Sequence, residues 1–181
     1  MKKSPSAKIV NVGSLAHNFP AKIDFNDLNF VNKKWSYLEA YGVSKLAVVT
    51  ITVEMARRLP PNVKVFCIDP GYVKTDLFRE NPSAFDAPVL SSLYKVSLNV
   101  STTFWGRSPA QGAVAIIHCV TSPDGGVGSG TSSNGGSGLY YSDCKPKRPN
   151  KVALDPEVGK KLWEVSCDMV GLPTFKNKMQ L

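Results

Sequence analysis

The sequence predicts an α/β fold built on a parallel sheet, and three features carry that prediction. Two short β-branched runs, residues 8–12 and 63–68, read as buried strands. A strongly apolar helical segment, residues 39–59, lies between them. Each strand ends abruptly at a glycine, in Gly13-Ser14 and in Asp69-Pro70-Gly71. Strand, helix and strand within about sixty residues make the pattern of a parallel βαβ unit.

Composition limits what such a chain can be. With 181 residues, 43% apolar and 20% charged, it has the balance of one globular domain; collagen, wholesale disorder and coiled coil are excluded. No run of about 18 apolar residues offers a membrane span. The positive start at Lys2 and Lys3 is followed by Ile9-Val10-Asn11-Val12, too short and too polar for a secretory signal. Lysine and arginine outnumber aspartate and glutamate by 22 to 14, giving +8, a surplus that could serve an anionic partner. The charge is spread, however. Its densest cluster, Lys145, Lys147, Arg148 and Lys151, is interrupted by Pro146 and Pro149 and reads as a solvated loop, so no nucleic-acid partner is predicted. Cys67, Cys119, Cys144 and Cys167 make no metal spacing with each other or with His17 and His118. No metal is expected, and reduced thiols in an intracellular, reducing compartment are.

Taken in order, residues 8–12 form the first strand, and residues 15–39 are an irregular loop of a length that often carries function. The helix of residues 39–59 has one apolar face at Leu46, Val49, Val53 and Ala56 and another at Val48, Ile51, Met55 and Leu59, so it should be buried. Arg57 and Arg58 suit its final turn and Pro60-Pro61 stops it. After the second strand, residues 91–104 and 109–121 read as helices, the latter with an apolar stripe of Ala110, Ala113, Val114, Ile117 and Val120. Residues 124–138 hold seven glycines and four serines but no phosphate-binding glycine motif, and read as a flexible connector. Residues 138–141 form a short strand. Residues 155–170 close the chain as a helix with Val158, Leu162, Val165 and Met169 on one side.

Tyr41 and Lys45 stand four apart near the start of the first helix, which stacks them on one face. An ammonium beside a phenol favours the phenolate, and a tyrosine so placed can exchange a proton at physiological pH. Ser14 follows the first strand, and ligands in parallel sheets bind beyond the carboxyl ends of strands. Pro70-Gly71 closes the next strand at the same edge, so three signals converge on one crevice.

The segments Asn11-Val12-Gly13-Ser14, Tyr41-Gly42-Val43-Ser44-Lys45 and Pro70-Gly71-Tyr72-Val73-Lys74-Thr75 together resemble the short-chain dehydrogenase/reductases. Residues 41–59, residues 139–145 and Leu162-Trp163-Glu164-Val165-Ser166 resemble the retinol dehydrogenase branch in particular. The resemblance covers nearly the whole chain. It implies Tyr41 as the catalytic acid/base, Lys45 as the group that favours its phenolate and bonds the nicotinamide ribose, and Ser14 as the holder of the substrate oxygen. The Pro70-Gly71 turn would lie against the nicotinamide of NAD or NADP, with the Val73 backbone and Thr75 hydroxyl on its carboxamide. Gly13 stands where the family often has serine, a change expected to be tolerated. Asp69 stands where this branch commonly has histidine.

The resemblance also implies what is missing. The family's glycine-rich dinucleotide-binding unit, its cofactor-choosing residue, its Asn-Ala-Gly segment and a relay asparagine would all precede Met1. The whole chain, residues 1–181, therefore resembles one partial domain: the carboxyl-terminal, catalytic half of a Rossmann-type doubly wound sheet. Such a half-sheet should expose the edge of the strand at Ile9 and Val10. The expected activity is NAD(P)-dependent interconversion of an alcohol and a carbonyl. Leu15, Phe78, Phe85 and Leu93, with Leu90 and Phe104, suit a retinoid or another apolar substrate, and a homodimer is an option. The alternative is an inactive truncated chain serving as an interaction module. Family analogy points to the endoplasmic reticulum membrane or the cytoplasm.

Overall fold

The computed structural model describes residues 4–34, 36–74, 106–122 and 136–173. Four strands lie side by side in chain order: β1 (Ala7–Val12), β2 (Val63–Asp69), β3 (Leu139–Ser142) and β4 (Lys145–Lys147). The first three are parallel, and β4 returns antiparallel to β3. The α/β architecture and the parallel βαβ unit are as the strand patterns predict. The basic cluster differs: Lys145 and Lys147 sit on an exposed edge strand rather than in a loop. Charged side chains and a proline on an edge strand discourage a further strand from pairing there.

β2 is buried on both faces, and its side chains divide the core. Cys67 joins Tyr140, Leu46, Val49, Ile23, Ala153 and Leu162 on one face, whereas Phe66 and Ile68 join Tyr141, Ala115 and Cys119 on the other. This is the period-two alternation of a pleated strand. The first face is covered by α1 (Tyr37–Arg58), α3 (Lys151–Leu154) and α4 (Pro156–Met169), the second by α2 (Pro109–Thr121). The chain moves one strand sideways in the same direction through α1 and again through α2, yet these helices cover opposite faces. The two crossovers therefore have opposite hands, and one of them departs from the right-handed rule.

α1 begins two residues before the predicted start because Ser36 caps it, its hydroxyl accepting from Glu39 N at 3.2 Å. α2 corrects the predicted stripe. Gly112, Ala115 and Cys119 face the sheet, and Val114, Ile117 and Val120 are exposed. Small side chains let the helix approach closely: a β-carbon on Gly112 would lie 2.6 Å from Val73 Cγ2. In α4, Leu162 is buried as predicted, but Cys167 takes the inward place and Met169 is exposed. The predicted helix at 91–104 and residues 124–135 of the glycine-rich segment lie outside the described residues. At that segment's end, Gly138 N donates to Val65 O at 2.7 Å and Ser137 Oγ accepts from Val65 N at 3.1 Å.

β1 is the other edge of the sheet among the described residues. Its register runs from Ala7 opposite Val63 to Val12 opposite Ile68, so both strands finish at one level. Just beyond, Gly13 is buried and donates to Ile68 O at 2.7 Å. A β-carbon there would stand 2.7 Å from Cys67 Sγ. Glycine, where the family often has serine, is therefore the residue this packing accommodates, because the Cys67 thiol fills the space a side chain would need. Gly13→Ser should cost about 1–3 kcal/mol by overpacking. The loss should shrink in the background Cys67→Ala, as a double-mutant cycle from urea denaturation would measure; an additive cycle would show that the two positions do not share the space.

Candidate functional site

Ser14 leaves the end of β1 and caps a 3-10 turn, Leu15–Asn18. Its hydroxyl oxygen accepts from Ala16 N at 3.2 Å, which leaves the O–H able to donate to a ligand oxygen. Its carbonyl receives both the His17 amide at 3.2 Å and His17 Nδ1 at 2.7 Å. His17 is fully buried, with its ring centroid 4.5 Å from that of Tyr140. Asn150, from the far end of the chain, donates to His17 O at 3.1 Å and Pro20 O at 2.9 Å. The start of the long loop is therefore a fixed turn, which its irregular sequence does not announce.

Helix α1 meets this turn at Gly42, where a β-carbon would lie 3.1 Å from Ala16 O and from Pro20 Cγ. That approach brings the first turns of α1 to the carboxyl end of β1. Lys45 Nζ donates to Val12 O at 3.2 Å, two residues before Ser14, and lies 5.6 Å from the Tyr41 ring centroid. Tyr41 is half-buried and stacks on Tyr37 at 5.8 Å. Ser14, Tyr41 and Lys45 are thus gathered at one end of the sheet.

The other tyrosines nearby are chemically different. Burial pushes the Tyr140 phenol far up and the Tyr141 phenol to about 12, so both stay protonated in the sheet. The Cys67 thiol is pushed up to about 12 by the same cause. It packs the core and is no nucleophile.

At the end of β2, Asp69 Oδ1 accepts from Gly71 N at 3.0 Å. This side chain builds the turn, and Gly71 adopts φ +74° there, a conformation suited to glycine. Val73 pairs in a parallel bridge with Arg107. Arg107 N donates to Tyr72 O and Lys74 N to Arg107 O. In that pattern the N–H and C=O of Val73 point away from Arg107 and can meet a ligand.

Leu15 is 56% exposed beside Ser14. Phe19, 65% exposed, and Tyr72, 41% exposed, share this end of the sheet and were not singled out as wall residues from sequence. Their apolar character in loops past strand ends was the available signal. Thr75, Phe78, Phe85, Leu90, Leu93 and Phe104 lie outside the described residues. Among the described residues, no cluster of histidine, cysteine, aspartate or glutamate could hold a metal, and no helix is long and apolar enough to cross a membrane.

Residues 30–85 match the family model described as short chain dehydrogenase. That stretch includes Tyr41, Lys45 and Pro70-Gly71, and stops short of Ser14. The chain is 34% identical over 173 residues to retinol dehydrogenase 14 of Homo sapiens, covering 95% of this chain and 46% of that protein. It is 32% identical over 173 residues to retinol dehydrogenase 12 of Mus musculus, covering 95% and 48%. The chain spans about half the length of the curated relatives it matches. Its fold is similar to the crystal structure of an uncharacterised protein from Mycobacterium paratuberculosis, with TM-score 0.61 and 20% identity over 94% of this chain and 52% of that one. The resemblance to short-chain dehydrogenase/reductases, and to their retinol dehydrogenase branch, extends across nearly the whole sequence.

His17 gives this region a pH dependence. Burial lowers its imidazole below the usual range, opposed by its bond to Ser14 O and by Asp69. The unfolded chain then takes up the proton first as pH falls through about 6.5, and folded stability falls with it. Thermal melts at about pH 7.5 and 5.5 should show a lower midpoint in acid. His17→Asn, which keeps a donor for Ser14 O, should flatten the difference; equal slopes in both proteins would contradict a buried neutral ring.

Proposed function

We propose that this chain is the catalytic and substrate-binding half of an NAD(P)-dependent short-chain dehydrogenase/reductase that interconverts an apolar alcohol and its carbonyl. The observation that carries the reading is the meeting of Ser14, Tyr41 and Lys45 at the carboxyl end of β1, beside the Pro70-Gly71 turn of β2. The nicotinamide cofactor, when bound, supplies or accepts the hydride. Ser14 donates its free O–H to the substrate oxygen. Tyr41 delivers the proton to that oxygen in reduction and removes it in oxidation. Lys45, held by Val12 O, stands beside the phenol ring and would hold the nicotinamide ribose. With the cofactor bound, the Val73 backbone would hold the carboxamide, and the resemblance gives the Thr75 hydroxyl a share in that role.

Exposed Leu15, Phe19 and Tyr72 support an apolar substrate such as a retinoid or a lipid aldehyde, in line with the names of the relatives. The four free cysteines support a reducing compartment.

Two measurements test the reading. Protein recovered from its source cells on an antibody to α4 should oxidise NADPH or NADH in the presence of retinal or a long-chain aldehyde. Tyr41→Phe should lower kcat by about 10²–10⁴-fold with the fold intact by circular dichroism. Turnover that survives this substitution would remove Tyr41 from the chemistry. The isolated 181-residue chain should show no turnover, because a dinucleotide would lose its pyrophosphate contacts. NAD(P)H oxidation by that pure chain would overturn this part of the proposal. The native species should accordingly migrate well above 19.6 kDa.

A further inference from the structure

Just past β2 the chain passes Pro70, Gly71, Tyr72 and Val73, and one residue from a distant part of the sequence meets each of them. Arg107 Nη1 donates to Pro70 O at 3.3 Å. The same nitrogen lies 2.8 Å from where a Gly71 β-carbon would stand. The Arg107 amide donates to Tyr72 O at 2.7 Å, and its carbonyl accepts from Lys74 N at 2.9 Å, which straddles Val73. The Val73 side chain is then closed off by Gly112 in the first turn of α2.

The guanidinium itself is held from outside. Nη2 donates to Asp143 Oδ1, in the turn between β3 and β4. Asp143 adopts φ +55° there, and its other oxygen lies 4.0 Å from Lys147 Nζ. A solvent-exposed ion pair alone would contribute little. Here the cation also bonds a backbone carbonyl and covers a glycine in the left-handed region, so the pair is tied to the shape of one turn.

We propose that Arg107 and Asp143 are positioning residues that hold the Pro70-Gly71 turn and aim the Val73 N–H and C=O at the nicotinamide carboxamide. This deepens the oxidoreductase reading and rests on it. Arg107 touches no reacting atom; it acts through Val73. Losing the clamp leaves Ser14, Tyr41 and Lys45 in place on β1 and α1, so the defect belongs to cofactor recognition.

The test uses native protein isolated as above, with NADPH and retinal as probes. Arg107→Met and Asp143→Asn should each raise KM for NADPH by about tenfold, the size of one lost charge-assisted contact. KM for retinal should stay within about twofold, and Arg107→Lys should restore part of the loss, since only the point charge remains. Asp143→Asn keeps the turn's shape and serves if Arg107→Met fails to fold. Amide exchange at Val73 and Lys74 should quicken in both variants. Unchanged KM for NADPH in folded variants of an active wild type would overturn the clamp and leave the functional reading standing. A wild type that oxidises neither NADPH nor NADH would overturn both.

Discussion

A strand buried on both faces has no freedom to slip, because a shift by one residue would turn each side chain to the wrong layer. β2 is such a strand, with Val65, Phe66, Cys67 and Ile68 all essentially inaccessible. Its neighbours are set against it. Cys67 on one face requires glycine at position 13, which lets the chain leaving β1 pass close enough to bond Ile68 O. That passage delivers Ser14 to the level at which Asp69 turns the chain at Pro70-Gly71. The candidate site follows from the packing of one strand.

Chemistry at this edge is separated by burial. The phenols of Tyr140 and Tyr141 and the thiols of Cys67 and Cys119 are pushed up by desolvation and stay neutral. Charge is kept at the ends of the strands, where Lys45 meets Val12 O and Arg107 meets Pro70 O. Backbone carbonyls that finish a strand have no ladder partner, and each takes a cation instead. The buried phenols and thiols are thus kept apart from the cations that meet the strand-end carbonyls at this edge.

Two surfaces stand out against this filled core. β1 has a neighbour on one side only among the described residues, and α2 carries exposed Val114, Ile117 and Val120. Both agree with a chain that spans about half the length of its retinol dehydrogenase relatives.

Hydrophobic period and turn chemistry determined much from sequence alone: the parallel βαβ unit, the ends of β2 and α1, and the spacing that stacks Tyr41 and Lys45. These are local properties, set by side-chain periodicity and by glycine and proline. The order of Ser14, Tyr41-Lys45 and Pro70-Gly71 along the chain carried the family resemblance. Other features were decided only in three dimensions, because they depend on which residues meet across long separations. Cys67 against Gly13 makes a side chain at position 13 costly, a constraint set by the register of β1 on β2. Asp69 proves to be the acceptor that forms the Gly71 turn. The apolar stripe of α2 faces outward since Gly112 and Ala115 permit closer packing on the sheet than valine and isoleucine would. Arg107 and Asp143, unremarkable in sequence, meet only because the start of α2 and the end of β3 both return to the turn that follows β2.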